Sequence, residues 1–238
     1  MLKKKNIMGI GFTDVDFEII LEYVIKKLRE DNKKFYIVTP NPEIIILSKK
    51  DFGYKNVLNQ AEIALPDGVG IVFAGQILGQ RLKRRITGVD FMEMLCERLS
   101  KQPITVGFLG GARHVADDTS ECLVAKYPDL QVSFVGTEPP RDLSDIECDM
   151  LFVAFGSPKQ EKWIAENLNK LSVKAAMGVG GAFDIISGRI PRSPLFLRKI
   201  GLEWLFRLIR QPWRIKRQIR LAVFLLLVLR ERFKYSLN

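Results

Sequence analysis

Short apolar runs that end in Gly, Pro or Asn alternate along this chain with stretches whose apolar residues recur at helical spacing. Runs at 7–12, 35–38, 62–65, 104–109, 131–135, 150–155 and 175–179 predict strands. Segments at 17–30, 43–49, 69–78, 112–126 and 159–171 predict helices between them. Alternation of this length implies a mostly parallel sheet with helices on both faces. Ligands of such sheets sit beyond the carboxyl ends of the strands, so chemistry is expected in the residues that follow each run. Five of those ends carry Gly or Pro: Thr39-Pro40-Asn41-Pro42-Glu43, Leu65-Pro66-Asp67-Gly68-Val69-Gly70, Gly107-Phe108-Leu109-Gly110-Gly111, Phe155-Gly156-Ser157-Pro158-Lys159-Gln160-Glu161 and Gly178-Val179-Gly180-Gly181-Ala182-Phe183-Asp184. On one sheet edge they predict a pocket.

Charge changes the picture at one end. Residues 189–238 hold 13 Lys and Arg against 2 Asp and Glu, whereas residues 1–188 hold 24 against 25. A near-neutral body over residues 1–190 and a cationic appendage over 191–238 are therefore expected. In the appendage Arg207, Arg210, Arg214 and Arg217 recur at helical spacing around Trp204, Phe206 and Trp213, ahead of an uncharged aliphatic run at 221–229. As a helix that run is about 14 Å long, and a bilayer core needs about 20 apolar residues. It suits docking on an anionic membrane surface and is too short to span it. The fold class is α/β: a mostly parallel, Rossmann-like sheet with helices on both faces, plus a basic amphipathic helical C-terminal appendage.

Cys96, Cys122 and Cys148 are odd in number and unpaired in spacing, so neither a disulfide framework nor a zinc site is suggested. Met1-Leu2-Lys3-Lys4-Lys5 is followed by only a short apolar stretch before Asp14, so secretion is not expected. A cytoplasmic body fits both. A nucleic-acid-binding arm is the other class that a basic, aromatic tail suggests, but the aliphatic run serves no such arm.

Asp67, between Pro66 and Gly68, reads either as a general base held at the sheet edge or as a helix N-cap. Thr39 and Asn41 read as turn and cap residues, or as a hydroxyl and an amide offered to a sugar. Asp14-Val15-Asp16 has the look of a metal-binding DxD, yet Thr13 three residues ahead of Asp16 reads better as a capping box. The cluster Arg81, Lys83, Arg84 and Arg85 is either a solvated face or a flexible loop that closes over a phosphate. Gly107 to Gly111 comes near a dinucleotide loop, but no acidic residue follows at the usual distance, which disfavours a dinucleotide-dependent oxidoreductase.

Taken in order, Thr39-Pro40-Asn41, Asp67-Gly68-Val69-Gly70, Arg85-Ile86-Thr87-Gly88-Val89-Asp90, Gly107-Phe108-Leu109-Gly110-Gly111, Gly156-Ser157-Pro158-Lys159-Gln160-Glu161, Gly180-Gly181-Ala182-Phe183-Asp184 and Gly201-Leu202-Glu203-Trp204-Leu205-Phe206-Arg207-Leu208 resemble the TagA/WecG/CpsF family of bacterial glycosyltransferases. The resemblance covers nearly the whole chain. It implies inverting transfer of a sugar from a UDP-sugar donor to a saccharide on an undecaprenyl diphosphate, at the cytoplasmic face of the membrane and without a metal. In the branch that makes the linkage unit of wall teichoic acid, the sugar is N-acetylmannosamine and the acceptor lipid-linked N-acetylglucosamine. The wider family also uses other donors, such as UDP-N-acetylmannosaminuronic acid or a UDP-hexose. By the same resemblance Asp67 is the base. Thr39, Asn41, Arg85, Asp90 and Gln160 contact substrate, and Arg207, Arg214 and Arg217 bind diphosphate. One departure is Gln211-Pro212, where the family tends to show Glu-Pro.

Two further expectations follow. The body alone is short of positive charge for a departing UDP, so the tail is expected to pack over the pocket, with Pro212 opening its second helix. A tail that swings free leaves a pocket edge at which two copies can associate, so homo-oligomerisation is expected to depend on tail position.

Overall fold

A computed structural model describes residues 2–30, 33–199, 201–210 and 215–236. In chain order the elements are β1 (Lys4–Ile7), β2 (Ile10–Thr13), α1 (Phe17–Glu30), β3 (Phe35–Val38), α2 (Pro42–Lys50), α3 (Phe52–Gln60), β4 (Ile63–Ala64), α4 (Val69–Ile77), α5 (Gly88–Leu99) and β5 (Thr105–Gly110). They continue as α6 (Val115–Lys126), β6 (Gln131–Gly136), β7 (Glu147–Ala154), α7 (Lys159–Asn167), β8 (Ser172–Gly178), α8 (Ala182–Ile186), α9 (Leu195–Lys199), α10 (Glu203–Arg210) and α11 (Ile215–Ser236).

Six strands form one sheet in the order β4-β3-β8-β7-β5-β6, and every neighbouring pair in it is parallel. Its central strands are apolar on both faces, as a sheet covered on both sides requires. Phe35 and Ile37 face one core with Phe152 and Met177, while Tyr36 and Val38 face the other with Leu151 and Ala176. The helices divide accordingly. Buried residues of α1, α5, α6 and α8 join the first core, and those of α2, α3, α7 and α11 the second. The helix after β3 therefore lies on one face and the helix after the adjacent β8 on the other. Loops that leave neighbouring strands in opposite directions open a crevice at the strand ends.

The predicted strand at 7–12 is not part of this sheet. It is an antiparallel hairpin with Ile7 paired to Ile10, turned by Met8 and Gly9 at φ 57° and 87°. Two successive left-handed residues make the two-residue turn that matches strand twist, and Gly9 is the sequence signal for it. Its apolar residues Ile7, Ile10 and Phe12 enter the second core.

The apolar run at 221–229 is divided lengthwise by α11. Phe224 and Val228 are fully buried in the second core, where α11 packs on α2 and α4. Ile215, Ile219, Val223, Leu226, Leu229 and Phe233 are exposed and recur every three or four residues along the opposite side. Glycines set how close the tail comes. A Cβ at Gly70 would lie 2.8 Å from Pro42 Cγ and 3.3 Å from Leu221 Cδ1, and one at Gly201 would lie 2.5 Å from Val69 Cγ1. Among the described residues no helix is long and apolar enough to cross a membrane.

Candidate active site

A cavity of about 320 Å³ occupies the crevice. One wall is the loop after β3, with Thr39, Asn41 and Glu43, and a second is Asp67 to Gly70 after β4. The third joins Gly156, Ser157 and Gln160 after β7 to Val179 through Ala182 after β8. Arg85 and Thr87 to Val89 lead into α5 on another side, and Gly201, Glu203, Trp204 and Leu221 come from the tail. The first turns of α2, α4, α5 and α7 thus all face one space. Each brings the positive end of a helix dipole, a field that suits an anion.

The structure sets aside the capping reading of Asp67. The residue that caps α4 is Gly68, at φ 92° and with no side-chain cap bond, so the Asp67 carboxylate is not the cap. Its backbone N–H donates to Pro40 O at 3.2 Å, while Pro66 O accepts from Ile86 N at 3.0 Å. The strand exit is thereby tied to both neighbouring walls, with Asp67 on the cavity surface. Asn41 does cap its helix: Oδ1 accepts from Ile44 N at 3.1 Å, which leaves Nδ2 as the amide group available to the cavity. Thr39 lines the cavity almost buried, and a Cβ at Gly88 would meet its Cγ2 at 3.4 Å.

Arg85 lies on the cavity wall and bonds Glu203 of α10 at 3.2 Å. Of the two readings of the basic cluster, the flexible closing loop does not hold, because the loop is pinned. Lys83 N–H donates to Asp14 Oδ1 at 2.8 Å, Lys83 Nζ pairs with Asp16 at 2.9 Å, and Leu82 is buried. Asp14 also pairs with Lys5 at 2.8 Å. The DxD carboxylates therefore anchor the basic loop that delivers Arg85. Nor is Thr13 the cap of α1, because its Oγ1 accepts from Ala64 N at 3.1 Å and ties β2 to β4. Gly110 likewise serves packing: a Cβ there would lie 2.9 Å from Ala154 C.

Asp90 is placed otherwise than expected. It is absent from the cavity wall and accepts from the Thr87 hydroxyl and from Arg192, with Arg198 at 3.9 Å. Burial pushes its carboxyl up, but the Thr87 hydroxyl and the Arg192 charge outweigh this and hold it below its ordinary value of 3.8. A carboxyl depressed on folding stabilises the fold above its unfolded pKa, and that contribution disappears as pH falls through the folded value. Urea midpoints are expected to drop below about pH 4, and Asp90→Asn is expected to flatten that acid limb. A variant with the acid limb of the unaltered protein would remove Asp90 from the account.

Gln160 reaches the cavity with little of its amide to offer. Its Oε1 accepts from Gly156 N at 3.1 Å and Gly180 N at 3.0 Å, and its Nε2 donates to Glu161 Oε1 at 2.9 Å. Arg207 lies in α10 and Arg217 in α11. Their side chains, and the whole of Arg214 and Pro212, lie outside the described residues.

Sequence reasoning passed over Glu43, Ser157, Glu161, Glu203, Trp204 and Leu221. Glu43 lines the cavity and holds Arg220 of α11, a pairing across 177 positions that spacing could not reveal. Glu43, Ser157, Glu161, Glu203 and Trp204 all stood within quoted strings without an assigned role, and the place of Glu203 and Trp204 on the wall depends on the tail folding back.

Residues 5–238 match the Glycosyl transferase WecG/TagA/CpsF family. An N-acetylglucosaminyldiphosphoundecaprenol N-acetyl-beta-D-mannosaminyltransferase of Bacillus subtilis (strain 168) is 31% identical over 97% of this chain and 93% of its own. Proteins of the same name from Bacillus spizizenii and Staphylococcus aureus (strain MRSA252) are 30% and 29% identical. They are aligned over 96% and 93% of this chain, and over 92% and 91% of their own.

Proposed function

The chain belongs to the WecG/TagA/CpsF family of glycosyl transferases, and from that premise we propose that it moves N-acetylmannosamine from UDP-N-acetylmannosamine to undecaprenyl-diphosphate-linked N-acetylglucosamine. The observation that carries this reading is the end-to-end similarity to mannosaminyltransferases named for that acceptor. The placement of Asp67 on the cavity wall supports it.

The Asp67 carboxylate takes the proton of the acceptor hydroxyl as the acceptor oxygen bonds to the anomeric carbon. The bond from that carbon to UDP breaks on the opposite side, so the configuration inverts. Negative charge grows on the departing diphosphate. The helix N-termini around the cavity and Arg85 meet that charge, with Arg207, Arg214 and Arg217 assigned to it from the tail. Thr39 and the Asn41 amide hydrogen-bond the sugar.

The chain works at the cytoplasmic face of the membrane, docked through the exposed apolar side of α11 among the basic residues of the tail. The exposure of Ile215, Ile219, Leu226 and Phe233 supports this.

Full-length protein given UDP-N-acetylmannosamine and a short-chain lipid-diphosphate N-acetylglucosamine is expected to release UDP only when the acceptor is present. Excess EDTA is expected to leave the rate unchanged; a rate lost to EDTA and restored by Mn²⁺ would overturn the metal-independent mechanism. Release with a different UDP-sugar alone would keep the reaction class and change the donor.

A further inference from the structure

One wall of the cavity is held together by a buried polar relay that the transfer chemistry leaves unused. Gln160 is 2% exposed, and Glu161 and Tyr54 are 0% exposed. Two backbone N–H groups, of Gly156 and Gly180, converge on one atom of the Gln160 amide. Only the oxygen can receive both, so the amide orientation is fixed and the NH₂ faces Glu161. Glu161 also accepts from the Ser157 hydroxyl at 2.6 Å and from the Tyr54 phenol at 3.1 Å. Burial, followed by the Glu161 charge, pushes the Tyr54 phenol up, which keeps it protonated and donating.

Space for the relay is built in. Gln160 crosses the end of β8 because residue 178 is glycine, where a Cβ would lie 2.9 Å from its Nε2. Among the described residues no cation pairs with Glu161. A buried carboxylate met only by neutral donors is costly, and an apolar side chain would fill the same volume at less cost. What the carboxylate provides is an acceptor for three neighbouring donors, those of Gln160, Ser157 and Tyr54. An apolar residue at 161 would leave the buried Gln160 NH₂ without its acceptor, and an amide held at one end only would tie the loops after β7 and β8 less firmly. Gly156, Ser157, Gly180 and Gly181 on those loops line the cavity beside the N-terminus of α7. Glycine backbone there permits close approach to an anion.

We infer that Glu161 is a positioning residue of the donor site: by accepting from the NH₂ of the Gln160 amide, it anchors the side chain that holds the two glycine loops at the separation that admits the diphosphate of a nucleoside diphosphate. The inference rests on the UDP-sugar reading and names the part of the chain that shapes its diphosphate pocket. Glu161 touches no substrate and acts through Gln160.

The test uses Gln160→Glu and the exchanged pair Gln160→Glu/Glu161→Gln, with the Kd for UDP measured by calorimetry and the Tm measured beside it. The single change sets two carboxylates against each other, where both cannot ionise comfortably. In the exchanged pair the introduced carboxylate still accepts from Gly156 and Gly180, and the introduced amide donates to it and to Ser157 while accepting from Tyr54. Every bond of the relay is rebuilt with position 160 still a carboxylate, so recovered affinity comes from orientation and not from contact with UDP.

Gln160→Glu is expected to weaken UDP binding about tenfold or more. The exchanged pair is expected to return to within about threefold of the unaltered protein. An exchanged pair that binds no better than the single variant would overturn the inference. So would a lowered Tm in Gln160→Glu with an unchanged Kd, the mark of a purely structural role. No UDP binding by the unaltered protein would overturn the donor reading and this inference with it, whereas unaltered binding with indifferent variants overturns the inference alone.

Discussion

Asp67→Asn is expected to lower kcat by about 10²- to 10⁴-fold, the usual contribution of a positioned general base. The Kd for UDP is expected to stay within a few-fold and the Tm within a few degrees. The separation follows from how the residue is held. The substitution is isosteric, the N–H of residue 67 keeps Pro40 O as its acceptor, and Gly68, not Asp67, occupies the capping position of α4. No helix end loses its cap in the variant. What is lost is the group that accepts a proton as the acceptor oxygen becomes a nucleophile. An amide at that position does not take the proton. Turnover preserved in the variant would move the base elsewhere on the cavity wall while leaving the glycosyl transferase assignment intact. A parallel loss of UDP affinity and Tm would show that position 67 shapes the site instead of acting in it.

Removal of residues 201–238 is expected to abolish transfer to at least about a hundredfold below the full chain, the scale of losing charge-stabilising groups at a developing anion. Several independent contacts point the same way. Gly201, Glu203, Trp204 and Leu221 form part of the cavity wall. Two ion pairs of opposite polarity bind tail to body beside it, Arg85 with Glu203 and Arg220 with Glu43. Phe224 and Val228 complete the second core. Because truncation also uncovers that core, Phe224→Ala serves as its milder partner. It is expected to cost about 3 kcal/mol or more in urea unfolding and to lower kcat/KM through the displacement of Leu221 one turn earlier. Truncated protein with the activity of the full chain would sink the claim that the tail completes the site.

Most of the sheet was legible because its signal is local. A strand covered on both faces must be a continuous apolar run, so 35–38, 150–155 and 175–179 declare themselves. Their closing glycines and prolines mark the edge where a ligand binds. The hairpin at Lys4–Thr13 reads as one strand because four of the six positions 7–12 are large apolar residues, and only the left-handed Met8-Gly9 pair divides the run. Among the site residues, Asp67, Thr39, Asn41, Arg85 and Gln160 lie on the cavity wall, since each stands directly at a strand end or at the entry to a helix. Asp90 does not, because in the first turn of α5 its side chain meets Arg192 instead of the crevice.

By itself, then, the sequence determined what local periodicity and motif order can carry: the parallel α/β architecture, the edge that bears the site, the cationic tail and the family. Tertiary structure decided what depends on residues far apart meeting. Only folding brings Glu43 to Arg220, Glu203 to Arg85 and Tyr54 to Glu161. It also turns one side of α11 into core and leaves the other exposed. Spacing encodes which face of an element a side chain occupies; its partner is set by how the layers stack, and that is a property of the whole chain.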